Sequence, residues 1–218
     1  MNSPLIQLLV LAAIAVFLIL RLKNVLGTRE GFEKPPVPAP AAKRTGPSFE
    51  VIEGGPDLDI TDHFSEGTPQ ARALAEMKRI EPSFNVTDFI GGARGAYEMI
   101  VIGYERGELD DIKPILSEEV YDSFVDGVAA REDQGLTIEA NFIGVREMNL
   151  ENVTLDPDTK EAEMTLKFVA ELTQAVRNSE GEIVEGSLTV AKKQKDTWVF
   201  SRHMGSDDPN WFLVSTDG

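Results

Sequence analysis

The chain has 218 residues, a formal net charge of −16 at pH 7, two His and no Cys. Without Cys there are no disulfides, thiolate zinc centres or Cys nucleophiles, and His63 and His203 are too far apart in sequence to suggest a His-rich metal site. The charge is uneven, +4 over residues 1–47 and −20 over residues 48–218, so the larger part should be repelled by nucleic acid and by anionic headgroups.

Pro4 to Leu22 is a run of 19 residues in which Gln7 and Arg21 are the polar interruptions. At about 1.5 Å per residue such a helix spans about 28 Å, close to the hydrocarbon thickness of a bilayer. The side chains expected in lipid are Leu5, Ile6, Leu8, Leu9, Val10, Leu11, Ile14, Val16, Phe17, Leu18, Ile19 and Leu20. A cleaved signal peptide is the competing reading. It wants a basic leader and a small-residue cleavage site, whereas here the positive charges, Arg21, Lys23, Arg29 and Lys34, all follow the run. The positive-inside rule then places the C-terminal part in the cytoplasm or in an organelle's matrix. The sequence thus predicts a transmembrane anchor over residues 1–26.

Residues 27–68 have the composition of a linker. Lys34-Pro-Pro-Val-Pro-Ala-Pro reads as extended polyproline-II chain, and Gly54-Gly55-Pro56-Asp57 and Glu66-Gly67-Thr68-Pro69 are breakers. His63 is expected to be solvated there. The folded domain is expected over residues 69–218.

That domain begins with helical patterns. Pro69 to Ile80 carries Ala71, Leu74 and Ala75 at helical spacing. Thr87 can cap a longer helix from Asp88 to Glu105, with Phe89, Ile90, Ala93, Tyr97, Ile100 and Tyr104 on one stripe and Gly107 as its stop. Asp110 to Leu116 reads as a short turn of helix. Ser117-Glu118-Glu119 opens a further helix with Val120, Tyr121, Phe124 and Val128 on its apolar face.

Strand patterns follow. Ile138 to Gly144 alternates, and Asp156 to Thr159 is a turn. Glu163 to Arg177 alternates most clearly, with Met164, Leu166, Phe168, Ala170 and Leu172 on one face. Asn178 to Gly181 turns the chain into Ile183 to Lys192, and Lys195-Asp196 is expected to turn it again into Thr197 to His203. The order predicts an α+β fold in which N-terminal helices pack on a curved antiparallel meander, a cone with an apolar interior.

Several blocks resemble a known family. They are the run Arg21 to Gly31, the helix entry Phe84 to Ala93, Ala96-Tyr97-Glu98, Gly107-Glu108-Leu109, Leu116 to Phe124, Trp198 to Arg202, and Ser206 to Leu213. Their order and spacing resemble bacterial members of the Tim44-like family, which are similar to the C-terminal domain of the mitochondrial inner-membrane import-motor tether. The resemblance covers the domain from about residue 69 onward. It implies a cone-shaped, nuclear-transport-factor-two-like fold and a non-catalytic role as membrane-associated scaffold in protein translocation. It also implies protein partners: membrane proteins, translocation or assembly factors, and a chaperone among the candidates. The chain departs from the mitochondrial pattern in its own apolar N-terminal run, its short region from Gly27 to Thr68 and its acidic domain. The simplest expectation is a single-pass protein of a bacterial inner membrane with its C-terminal domain in the cytoplasm.

No residue pattern demands catalysis, a metal or a cofactor. Gly91-Gly92-Ala93-Arg94-Gly95 lacks the preceding strand and the following Lys-Ser/Thr pair of a phosphate loop. Gly91 and Gly95 are better read as a close helix contact. Glu118-Glu119 and Asp207-Asp208 are adjacent carboxylates that diverge and seldom share a proton; on the helix they read as terminal charges. His203 alternates away from Trp198 and Phe200 and is expected to face outward. The helix from Pro69 has a mostly alanine apolar face, which gives it weak interfacial affinity. Tyr97, Phe124, Phe168, Trp198, Trp211 and Phe212 are the candidates for a pocket or a partner surface, against the plain reading of aromatic core. Three roles follow: a scaffold if the cone is filled and an apolar groove is exposed, a carrier of a hydrophobic ligand or lipid tail if the interior is a connected cavity, and an enzyme if that cavity holds a perturbed carboxylate or His.

Overall fold

The computed structural model describes residues 56–217. The apolar run and the proline-rich segment lie outside the described residues. Among the described residues no helix is long and apolar enough to cross a membrane.

The ordered body begins upstream of Pro69. Helix α1 (Leu58–Thr61) is capped by Asp57 and buries Ile60 in the core. Asp59 accepts from the backbone N–H groups of Val86 (2.8 Å) and Thr87 (3.0 Å), so one carboxylate caps the start of a helix 27 residues away. Residues 57–68 therefore belong to the folded body, although their Gly- and Pro-rich flanks read as spacer. His63 is half-buried rather than fully solvated.

Helix α2 (Pro69–Ile80) starts with Thr68 accepting from Ala71 N–H and buries Ala71, Leu74 and Met77. Helix α3 (Val86–Arg106) is capped by Asn85 and places Phe89, Ala93, Tyr97, Ile100 and Val101 on its inner face. It ends at Gly107 in the left-handed region (φ 75°), where Glu108 N–H reaches back to the Gly103 carbonyl. That conformation costs a glycine little and other residues more. A single 3-10 turn (Lys113–Ile115) stands where a short helix is expected. Helix α4 (Glu118–Asp133), capped by Ser117, buries only Val120 fully.

Strands β1 (Thr137–Leu155), β2 (Glu161–Arg177), β3 (Ile183–His203) and β4 (Phe212–Asp217) form one antiparallel sheet in the order β1-β2-β3-β4. The expected hairpin turn at Lys195-Asp196 does not exist. β3 is continuous, and its irregularity lies earlier, where Leu188 to Ala191 stand opposite the single residue Thr173. β1 carries three register shifts against β2. Each extra residue bends its strand and increases the twist, and this curls the sheet around the helices. Ala162, Met164, Leu166, Phe168, Ala170 and Leu172 of β2 alternate into the core, as do Trp198 and Phe200 of β3. His203 is exposed, as its alternation requires. The architecture is α+β, with helices held against a curved four-stranded antiparallel sheet.

Candidate functional site

The six aromatic candidates separate into three environments. Tyr97, Phe168 and Trp198 are in the interior, 0%, 0% and 4% exposed. The rings of Tyr97 and Phe168 stack at 4.2 Å, and Trp198 leans on Tyr97 at 4.6 Å. Phe142 closes the set at 6.0 Å from Tyr97. These four aromatic rings pack against one another in the interior.

The polar end of that stack is also occupied. Tyr97 donates its hydroxyl to the buried carboxylate of Asp196, which also accepts from Gln194 Nε2 at 3.2 Å. Burial first, and then the Asp196 carboxylate, push the Tyr97 phenol far above its ordinary pKa. Glu105 sits near the end of α3. Burial raises its pKa, opposed by Arg131 at 3.8 Å and by the hydrogen bond from Gln174 Nε2 at 2.8 Å. Among the described residues, no buried side-chain polar atom lacks a partner, and no group of three or more acidic or His side chains converges as for a metal ion.

Trp211 lines a surface cleft of about 380 Å³ between the first half of α3 and the loop before β4. Its ring lies 4.6 Å from Phe89 and 6.1 Å from Phe84. Ala93, Ala96, Ile115 and Phe200 complete the apolar lining. At the rim, Arg202 is 7% exposed and donates to Glu81 at 2.7 Å. This bridge ties the end of α2 to β3 and holds the cleft's wall in place. Gly92 lies on its floor.

The glycines of α3 need a correction. Side chains built at Gly91, Gly92 or Gly95 would meet nothing within 4 Å, so these residues make no close helix contact. The close approach is at Gly103, where a Cβ would come within 2.9 Å of Ile112 and 3.2 Å of the Glu108 carbonyl.

Phe124 belongs to a second opening, a slot of about 480 Å³ between α4 and β3, and its ring lies 4.6 Å from Tyr104. Phe212 begins β4 in register with Ser201, half-buried, and lines neither opening. Sequence reasoning missed Asp59, Phe84, Glu105, Asp196 and Arg202 as organising residues. Phe84 directly precedes the cap Asn85, the one local signal available. The acidic residues and Arg202 act through contacts distant in sequence and leave no local pattern.

The Tim44-like domain family matches residues 70–218. The chain belongs to the Tim44-like family. A curated relative, mitochondrial import inner membrane translocase subunit TIM44-1 of Arabidopsis thaliana, is 23% identical over 161 residues, covering 71% of this chain and 34% of the relative. The chain thus spans about a third of that relative's length. Among solved structures, the intermembrane space region of the chloroplast protein ARC6 aligns with a TM-score of 0.36 at 12% identity, covering 57% of this chain and 94% of that one. A periplasmic fragment of TraM aligns at 0.38 and 12%, covering 61% and 96%. Both likenesses are too slight to carry a conclusion.

Proposed function

We propose that this Tim44-like chain is a membrane-tethered, non-catalytic binding module that serves protein translocation or membrane-protein assembly. The observation that carries the reading is the contrast between a filled interior and an open aromatic cleft. Tyr97, Phe168 and Trp198 occupy the cone's centre, while Phe84, Phe89 and Trp211 line a cleft at the surface. Aromatic side chains in a preformed concavity are the usual anchors of protein–protein contact. The relative's role as a translocase subunit supports the same class of partner. The cone-shaped, nuclear-transport-factor-two-like arrangement, the anchor over residues 1–26, the spacer behind it and the cytoplasmic side of a bacterial inner membrane complete the proposal.

An enzyme is the second reading, because Glu105 is a half-buried carboxylate with a raised pKa. Its neighbours weigh against it. Arg131 and Gln174 bind Glu105, and Tyr97 and Gln194 bind Asp196, so both acids serve as partners within the fold. A carrier needs an empty interior, and the aromatic stack opposes that.

The test places a photo-crosslinking amino acid at Gly92, on the cleft floor, and a control at Glu163, exposed on β2. In native membranes, Gly92 is expected to yield a discrete adduct with a translocation or membrane protein, and Glu163 none. The adduct is expected to disappear when residues 1–26 are removed. Equal labelling from both positions overturns the cleft as partner surface. An adduct that survives removal of the anchor overturns the tethering.

A further inference from the structure

The slot between α4 and β3 has one wall made of a strand's edge. Lys192, Lys193, Gln194, Lys195 and Asp196 line it consecutively. The faces of a strand present alternate residues, so five in succession border a cavity only through the strand's edge. That edge is open. β4 pairs with β3 only between Thr197 and Ser201, and among the described residues no strand lies beside Ile183 to Asp196 on that side. β4 runs antiparallel to β3, with Trp198 opposite Thr216 and Thr197 opposite Asp217, so β4 points into the slot.

The opposite wall is helical. Tyr104 of α3 and Phe124 of α4 face the edge, with Ile100, Val101 and Trp198 as the floor. α4 is tied to its neighbours at its two ends. Ser117 N–H donates to the Leu213 carbonyl at 2.9 Å, and Arg131 donates to the Tyr104 carbonyl at 2.7 Å with its guanidinium over that ring. An unpaired strand edge facing an apolar helix across a slot is the geometry in which an extended peptide adds as a further strand.

Charge selects the peptide. Lys192, Lys193 and Lys195 form no ion pair among the described residues. Lys192 donates to Gln174, and Glu171, which faces Lys193 in register, is already bound to Arg146 at 2.7 Å. The nearby acids Glu105 and Asp196 are partnered inside the fold, and Asp217 lies at the end of β4. Lys192 also lies close enough to Glu105 for its charge to favour the ionised carboxylate, whereas Lys193 and Lys195 are exposed and in no ion pair among the described residues, an uncommon pair of cations in a chain of net charge −16. The geometry points to a second partner site, separate from the aromatic cleft: an extended acidic peptide pairs with the β3 edge at Lys192 to Asp196, in line with β4. Alternate apolar side chains pack against the Tyr104 and Phe124 rings, which touch each other at 4.6 Å, and its carboxylates meet the lysines.

The test uses the full chain in detergent micelles and a fluorescein-labelled peptide of about nine residues that alternates Val and Glu about a central Phe. Polarisation is expected to show saturable binding. N-methylation of the peptide's alternate amides, which leaves the protein unaltered, is expected to weaken it at least about tenfold by removing main-chain donors. Lys193→Glu with Lys195→Glu, both exposed positions, is expected to weaken it about tenfold while the thermal midpoint stays unchanged. Amide exchange should slow at residues 192–196. Equal affinity for the N-methylated peptide overturns strand addition, as does protection along β1 instead of β3. Binding of phosphatidylglycerol vesicles through the same lysines, with no binding of the peptide, assigns the patch to lipid headgroups and overturns the proposal.

Discussion

β3 has two halves with opposite fates. From Thr197 to Ser201 it is flanked by β2 and β4, and it buries Trp198, Phe200 and Ser201, with Trp198 against Tyr97 and Phe200 against Phe89 of α3. From Ile183 to Lys195 it has β2 on one side only, and Ile183, Val184 and Val190 are 46%, 56% and 66% exposed. Both halves are strand, so backbone preference does not separate them. What separates them is whether a helix and a second strand arrive to cover the pleat. The covered half should carry the stability and the uncovered half should be nearly indifferent to substitution. The largest effect breaks that contrast from the covered side. Phe200→Ala leaves a void against the Phe89 and Trp198 rings and should cost about 4 kcal/mol, whereas Val190→Ala should stay within about 0.5 kcal/mol. Urea midpoints at constant m-value report both. A comparable loss at Val190 would mean that the uncovered half packs against something in the free protein.

The next effect tests how α3 is held over the covered half. Asp59 caps α3 and pairs with Lys78 at 2.8 Å. Partial burial pushes its pKa upward, but Lys78 and the Val86 and Thr87 N–H groups outweigh this and hold it at about 2. A depressed carboxylate contributes stability that is present above the unfolded-state pKa and lost as pH falls toward the folded-state value. Asp59→Ala should therefore cost about 2 kcal/mol near neutrality. It should also flatten the decline in stability between about pH 4 and pH 2. Chemical denaturation across that range measures both, and an unchanged acid limb would remove Asp59 from the account.

The elements of the covered region were legible in the sequence because their signals are local. Ser117 caps α4, Gly107 ends α3, and the alternation from Met164 to Leu172 gives the core face of β2, although α3 is capped by Asn85, two residues before the Thr87 expected in that role. The α+β order followed from these. Two kinds of feature were not legible. Contacts distant in sequence, such as Asp59 on α3 or Glu81 on Arg202, have no periodicity to betray them. A continuous strand that passes through Lys195-Asp196 looks like a hairpin turn, because the polar pair lies between two apolar runs and its tertiary partner Tyr97 is 99 residues away. Of the candidate residues, the aromatic character was legible but the partition into stack, cleft and slot was not, since it depends on contacts between elements distant in sequence. The glycines of α3 make the same point measurable. Gly95→Ala faces open space and should gain about 0.5–1 kcal/mol from helix propensity, while Gly103→Ala meets Ile112 and should lose about 1 kcal/mol. Opposite signs in thermal melts are the expected outcome.

The smallest effect sharpens the boundary between the two halves of β3, where Glu105 lies beside the slot. Its pKa is raised, first by burial, so its linkage runs opposite to that of Asp59. A carboxyl whose folded-state pKa exceeds its unfolded value favours folding below the unfolded value, and that contribution is lost as pH rises through the folded one. The charged form therefore sits in the folded protein at a cost that Arg131 and Gln174 only partly offset. Glu105→Gln keeps the side chain's shape and removes that cost. It should raise stability slightly at neutral pH and leave stability below the carboxylate range unchanged. The same substitution removes the charge that Arg131 faces at 3.8 Å, so Arg131 is left tied by the Tyr104 carbonyl and ring alone. Amide exchange along Glu118–Asp133 should then quicken even as the global midpoint rises. A fall in the midpoint instead would mean that the ion pair to Arg131 outweighs the burial of Glu105, and that α4 stands where it does because that carboxylate holds it.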